Sequence, residues 1–113
     1  MLKSKIHRAT ITDTKLDYEG SISIDEELLK KARINVHEQV HVVNVNNGSR
    51  FVTYAIAAKQ GSGDIVINGA AARCAMPGDL VIIIAYCSIE EDECENYKPR
   101  IVMVDSHNNI ANG

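Results

Sequence analysis

Short apolar runs rich in β-branched residues alternate with turn signals along this chain, the pattern of a small sheet or barrel domain. Residues 6–12 read as a first strand. A polar connection over residues 13–17 leads to Tyr18-Glu19-Gly20-Ser21 and a short extended piece at residues 22–24. Residues 25–33 carry the strongest helix signal. Ser23 and Glu26 have the spacing of a capping box, Asp25, Glu26 and Glu27 suit the positive end of the helix dipole, and Lys30, Lys31 and Arg33 the negative end. A third strand around Val40 and Val42 ends at Asn46-Asn47-Gly48, where Asn-Gly between apolar runs signals a hairpin because both residue types tolerate positive φ. Residues 50–59 form the returning strand. Gly61-Ser62-Gly63-Asp64 then turns the chain into a strand at residues 65–67, followed by Asn68-Gly69-Ala70-Ala71-Ala72. Pro77-Gly78-Asp79 introduces a buried strand over residues 80–87, the acidic stretch 88–96 reads as a short helix, and residues 100–104 as the last strand. The tail from Ser106 reads as frayed. The expectation is a mainly β domain of roughly six or seven strands with one or two short helices.

Composition adds that the chain, at 113 residues and without repeats or linkers, is a single domain over residues 1–113. Hydrophobic residues make up 45% of it, yet only 4 Tyr and 1 Phe are aromatic, so the core is expected to be built of Val, Ile, Leu and Ala. The 12 basic and 15 acidic side chains give a formal charge of −3, which leaves no electrostatic footprint for nucleic acid or an anionic membrane. The longest apolar run, residues 80–85, falls far short of the ~20 residues of a spanning helix. Residues 1–5 do not resemble a signal peptide. Cys74, Cys87 and Cys94 are odd in number and spaced too widely for CxxC pairs, which points to reduced thiols in a cytoplasmic protein and to no metal site.

Three segments could carry chemistry. In Gly20-Ser21 a glycine leaves no Cβ beside the intervening carbonyl, so the serine hydroxyl can approach it and permit an N→O acyl shift; an ordinary turn has the same dipeptide. Asn68-Gly69-Ala70-Ala71-Ala72 is a run of small residues that lets a ligand reach backbone N–H groups, or lets backbones pack closely. In Arg50-Phe51-Val52-Thr53-Tyr54 alternation puts Arg50, Val52 and Tyr54 on one face and Phe51 and Thr53 on the other. Arg50 suits a carboxylate, Tyr54 a proton transfer and Thr53 an oxyanion, while the plain alternative is a strand with a solvated Arg and a half-buried Tyr. Lys5 and His7 share a strand face near the N-terminus.

Taken together, Lys5-Ile6-His7-Arg8, Tyr18-Glu19-Gly20-Ser21, residues 47–54 and residues 68–72 stand in an order and spacing that closely resemble the aspartate 1-decarboxylase family, from Leu2 to about Asp105. That resemblance implies a double-ψ β-barrel with one or two short helices. It implies self-cleavage between Gly20 and Ser21 into residues 1–20 and 21–113, with Ser21 converted to a covalent pyruvoyl group as the cofactor. It further implies that L-aspartate binds this group as a Schiff base and leaves as β-alanine and CO2, for pantothenate and so coenzyme A synthesis. By the same resemblance Tyr54 is the proton donor, and Lys5 and Arg50 bind the substrate carboxylates. Thr53 stabilises an oxyanion of maturation, while Asn68, Gly69, Ala70 and Ala71 line the site. His7 and Tyr18 support binding or maturation. A homotetramer with active sites between subunits is also implied. Some members mature unaided and others with a helper protein.

Val43 stands where some members carry a bulky aromatic residue, and the tail beyond Asp105 matches no family feature. A DNA-binding β-barrel would share the fold class but calls for a basic face, against Glu90, Glu91, Asp92, Glu93 and Glu95 here. An unprocessed homologue would keep the fold without the pyruvoyl group. A decarboxylase of glutamate would keep the chemistry with a longer dicarboxylic substrate.

Overall fold

The computed structural model describes residues 1–112, and among them eight strands, one α-helix and two 3-10 turns. The strands are β1 (Leu2–Thr10), β2 (Asp13–Lys15), β3 (Ser21–Asp25), β4 (Gln39–Asn44), β5 (Arg50–Ala58), β6 (Ile65–Asn68), β7 (Leu80–Tyr86) and β8 (Arg100–Met103). Helix α1 (Glu26–Ala32) follows β3, and the 3-10 turns are Gly69–Cys74 and Glu91–Glu93. The strands hydrogen-bond in the order β2-β6-β3-β5-β4-β7-β1-β8. The pairs β2–β6, β3–β5 and β1–β8 are parallel and the others antiparallel. The two ends of the chain are therefore interleaved: β1 lies between β7 and β8, and β6 between β2 and β3.

The core is aliphatic, as composition requires. Ile6, Ile22, Ile24, Leu28, Val40, Val42, Ile65, Ile67, Val81, Ile83 and Val102 are fully buried, and the lone phenylalanine, Phe51, packs at its margin. Each such side chain contributes roughly 1.5–3 kcal/mol of burial energy. In β7 the alternation is strict although every residue is apolar or aromatic: Val81, Ile83 and Ala85 are buried, while Ile82 and Ile84 on the opposite face are only half-buried.

The elements differ from the sequence reading in ways that have physical causes. β1 begins at Leu2, earlier than expected, because Lys3 and Lys5 alternate with the buried Ser4 and so ride the outer side of a real strand. A bulge after Ile6, with Arg8 at φ 62°, returns Ala9 to the core. β2 is wholly polar and is held by backbone pairing to β6, so no hydrophobic pattern announces it. The helix cap is Asp25 and not Ser23: the Asp25 carboxylate accepts the N–H groups of Glu27, Gly61 and Gly63, each at 2.9 Å, while Ser23 is inside β3. The acidic stretch forms only the 3-10 turn at Glu91–Glu93. No helix among the described residues is long and apolar enough to cross a membrane.

The tail is anchored rather than frayed. Asn108 is 3% exposed; its Oδ1 accepts the Thr10 N–H at 2.7 Å, and its Nδ2 donates to the carbonyls of Thr10 at 2.8 Å and Gly63 at 2.7 Å. One side chain thus ties the end of β1 to the segment entering β6. Asn108→Ala strands these backbone groups and is expected to lower stability by about 2–3 kcal/mol. Chemical denaturation checks this, and a loss below about 0.5 kcal/mol would return the tail to a passive role.

Candidate active site

β3 begins at Ser21, which pairs across the sheet with Asn68, the last residue of β6. This register sets two side chains together at the ends of two interior strands. Asn68 Nδ2 donates to Ser21 Oγ at 3.0 Å and to Ser23 Oγ at 3.0 Å, and Ser21 Oγ in turn donates to the Glu19 carbonyl at 3.4 Å. Ser21 is 3% exposed, unusual for a serine at a loop-to-strand junction. Its hydroxyl is held from one side by an amide and directed from the other toward the preceding backbone.

A cavity of ≈ 410 Å³ opens over this pair, lined by Tyr18, Glu19, Ser21, His37, Tyr54, Ile56 and Asn68. Tyr18 is braced by Lys15, whose Nζ lies 4.9 Å from the ring centroid. Tyr54 and Ile56 come from one face of β5, as the alternation requires. The close approach that shapes the site belongs to Gly69 rather than Gly20. A Cβ on Gly20 would meet nothing within 4 Å and Gly20 is not among the positive-φ glycines, so nothing in its surroundings demands glycine. Gly69 has φ +75°, and a Cβ there would fall 2.7 Å from both Cα and N of Gly20 and 2.9 Å from the Tyr18 carbonyl. The small residue after Asn68 is what allows residues 18–20 to lie directly against the end of β6.

Of the other residues singled out in the sequence, Thr53 is on the opposite face of β5 from Tyr54 and does not line the cavity. Ala70 is exposed and Ala71 packs against the core, so both sit outside the lining. Arg50 shares Tyr54's face but lies four residues away along β5, about 13 Å at the usual strand rise. Lys5 lies across the sheet, aligned with Ile84, His41 and Val52 in successive strands. Neither Lys5 nor Arg50 lines the cavity over Ser21 within one chain. His7 is near Lys5 on β1; its Nδ1 is buried without a partner, and burial, then the charges of Lys5 and Arg8, hold the imidazole below its ordinary pKa and favour the neutral ring.

Two lining residues have no counterpart in the sequence reading, His37 and Ile56, and a third, Glu19, stands in a motif there without a role. His37 is the most unusual. It holds φ +76°, its N–H donates to the Ala55 carbonyl at 2.7 Å, and its ring centroid is 6.2 Å from that of Tyr54. The left-handed backbone of a histidine leaves no mark in the sequence. Among the described residues no group of three or more His, Cys, Asp or Glu is placed to hold a metal ion.

A family model described as aspartate decarboxylase matches residues 1–111. This chain belongs to the aspartate decarboxylase family. Proteins named aspartate 1-decarboxylase from Caldicellulosiruptor bescii and Thermoanaerobacter pseudethanolicus are 58% and 53% identical to it, covering 98% and 99% of this chain and 87% and 96% of theirs. Aspartate 1-decarboxylase 1 of Gloeobacter violaceus is 58% identical over 98% of this chain and 94% of its own. Among solved structures, the rationally designed mkDPBB_sym_86 protein superposes with a TM-score of 0.52 at 14% identity, over 73% of this chain and 95% of that one. At that identity the likeness speaks to fold alone, and it identifies the interleaved sheet of this decarboxylase-family chain as a double-ψ β-barrel.

Proposed function

We propose that this chain is a self-processing aspartate 1-decarboxylase, that Ser21 becomes a pyruvoyl group, and that the mature protein converts L-aspartate to β-alanine and CO2 as a step toward pantothenate. The observation that carries the reading is the buried Ser21 hydroxyl, fixed by Asn68 and turned toward the Glu19 carbonyl beneath a cavity that also holds Tyr54.

In maturation Ser21 Oγ attacks the Gly20 carbonyl carbon, and a C–O bond replaces the Gly20–Ser21 C–N bond. Loss of the Ser21 α-proton then expels Gly20 as a carboxylate that keeps the oxygen. Water hydrolyses the resulting enamine to the ketone with release of ammonia, so atoms and electrons balance without a redox partner. Residues 18–20 are packed against Gly69 at the end of β6, which restrains the segment that carries this carbonyl, and such a step depends on restrained proximity. A pyruvoyl group at position 21 supplies an electrophilic carbonyl that takes up the electron pair left when CO2 departs. The chain's own residues supply the rest. Tyr54, in the same cavity, delivers the proton to the substrate carbon, and Asn68 positions the reacting end.

Arg50 and Lys5 suit the two carboxylates of aspartate, and their distance from Ser21 within one chain supports a site completed by a neighbouring copy. The sheet face that carries them also exposes Val52 (50%), Tyr86 (47%) and Tyr54 (37%), an apolar surface fit for subunit contact in a homotetramer. Cytoplasmic residence agrees with three free cysteines.

Two assays test the reading. Purified protein incubated with L-aspartate is expected to release β-alanine, and with L-glutamate to release far less product. Tyr54→Phe removes only the hydroxyl from a side chain that is already partly exposed, so the variant is expected to fold and cleave normally while kcat falls about 10²–10⁴-fold. Near-normal turnover in that variant would move the proton to another residue or to water.

A further inference from the structure

The geometry points to an anion site remote from Ser21: the hollow between the C-terminal end of α1 and β8 binds a small ligand bearing two phosphoryl groups. The hollow has a volume of ≈ 250 Å³ and is lined by Lys3, Ala32, Arg33, Tyr97, Lys98 and Arg100. Four of these six residues are cations and none is an acid, on a chain whose formal charge is −3. Two further hollows adjoin it, and Arg33 lines all three.

Glu26 and Glu27 line the adjoining hollows together with Arg33, but neither forms an ion pair with a cation of this cluster among the described residues. Lys3 is paired with Glu38 at 2.8 Å, but Arg33, Lys98 and Arg100 have no ion pair among the described residues. Gathering like charges opposes folding, the more so where solvent is partly excluded. The dipole of α1 favours a cation at its C-terminal end, which suits Arg33, but it gives no reason for Lys98 and Arg100, which lie outside the helix.

The dipole does not explain the backbone of Arg33. It caps α1 in the left-handed conformation, φ 57° and ψ 38°, where glycine or asparagine is the residue the backbone prefers. An arginine there is strained, and strain of this kind is tolerated where a side chain has a task. Arg100 is half-buried and still lacks a carboxylate. Tyr97 closes the wall, its hydroxyl tied to Cys87 Sγ at 3.4 Å.

The chemistry of the lining selects the ligand. Two guanidinium groups match the bidentate geometry of phosphoryl oxygens. A diphosphate carries about as much negative charge as the three unpaired cations neutralise, and it is small enough for the hollow. Amino acids, including the proposed substrate and product, bring an ammonium group that this cluster repels. None of these lining residues belongs to the cavity over Ser21, so the inference stands independently of the activity.

Inorganic pyrophosphate titrated into the full-length protein by calorimetry at low ionic strength tests it. Saturable binding is expected, weakening as salt is raised. Arg33→Gly suits the left-handed cap and should fold at least as well as the parent, and Arg100→Gln keeps most of the side-chain volume. Each is expected to weaken pyrophosphate binding about tenfold or more, whereas Arg73→Gln, an exposed cation away from the hollow, should leave it unchanged. No saturable binding to the parent, or equal losses in all three variants, would overturn the assignment.

Discussion

Ser21→Ala is expected to give a folded, uncleaved chain with no decarboxylase activity. The substitution deletes one hydroxyl; Asn68 Nδ2 keeps Ser23 Oγ as a partner, so the stability change should be about 1 kcal/mol. The chemical change is total, because the nucleophile held between Asn68 and the Glu19 carbonyl is gone. Intact mass under denaturing conditions reads the result directly. The parent should show two pieces, residues 1–20 and 21–113, the larger lighter by one ammonia than its serine form, and the variant a single full-length species. Activity in an uncleaved Ser21→Ala protein would remove the pyruvoyl mechanism altogether.

Gly69→Ala is the second large effect, and it separates two costs that glycine usually combines. Gly48 also has positive φ, +77°, but a Cβ there meets nothing within 4 Å, so Gly48→Ala should cost only the backbone strain of about 1–2 kcal/mol. At Gly69 the same strain is joined by contacts of 2.7 Å to Gly20 and 2.9 Å to the Tyr18 carbonyl, all backbone atoms that no rotamer change can relieve. Overpacking adds about 1–3 kcal/mol, or else residues 18–20 move off the end of β6. Cleavage at Gly20–Ser21 is therefore expected to slow at least tenfold in Gly69→Ala and to be normal in Gly48→Ala, followed by mass spectrometry over time. Equal cleavage in both variants would show that the tight contact has no part in maturation.

Much of the fold is legible in the chain itself. β4, β5 and β7 are apolar runs bounded by Gly, Asn or Pro, and such punctuation marks their ends closely. What cannot be read is whatever depends on a distant backbone: β2 is Asp-Thr-Lys and exists because β6 offers a parallel edge, and Asn108 looks like a polar tail residue until Thr10 and Gly63 are brought to it. The site divides in the same way. Gly20-Ser21, Asn68 and Tyr54 gain meaning from their combined resemblance to a family, and Ser21, Tyr54 and Asn68 meet in one cavity. His37 escapes a sequence reading because its position depends on a left-handed turn and a bond to Ala55. The dipeptide points to Gly20 as the glycine that matters, whereas the crowding falls on its spatial neighbour Gly69, a relation that only folding creates.

The interleaving of the chain ends has a consequence for the order of events in the protein's life. β1 and β2 belong to residues 1–20, yet β1 is flanked by β7 and β8, and β2 pairs with β6. Before the cut, one connected molecule weaves these strands together at the high effective concentration that a covalent link provides. After it, the short piece is retained only by strand pairing and burial, and a denatured mixture would have to recruit it from bulk solution. Unfolding of the precursor should thus be reversible and independent of protein concentration, provided it stays monomeric, whereas recovery of the cut form should depend on dilution. Under the proposed processing, the Gly20–Ser21 peptide bond serves as a scaffold for assembly, and its late removal would let the finished barrel keep a segment that it could not easily recapture.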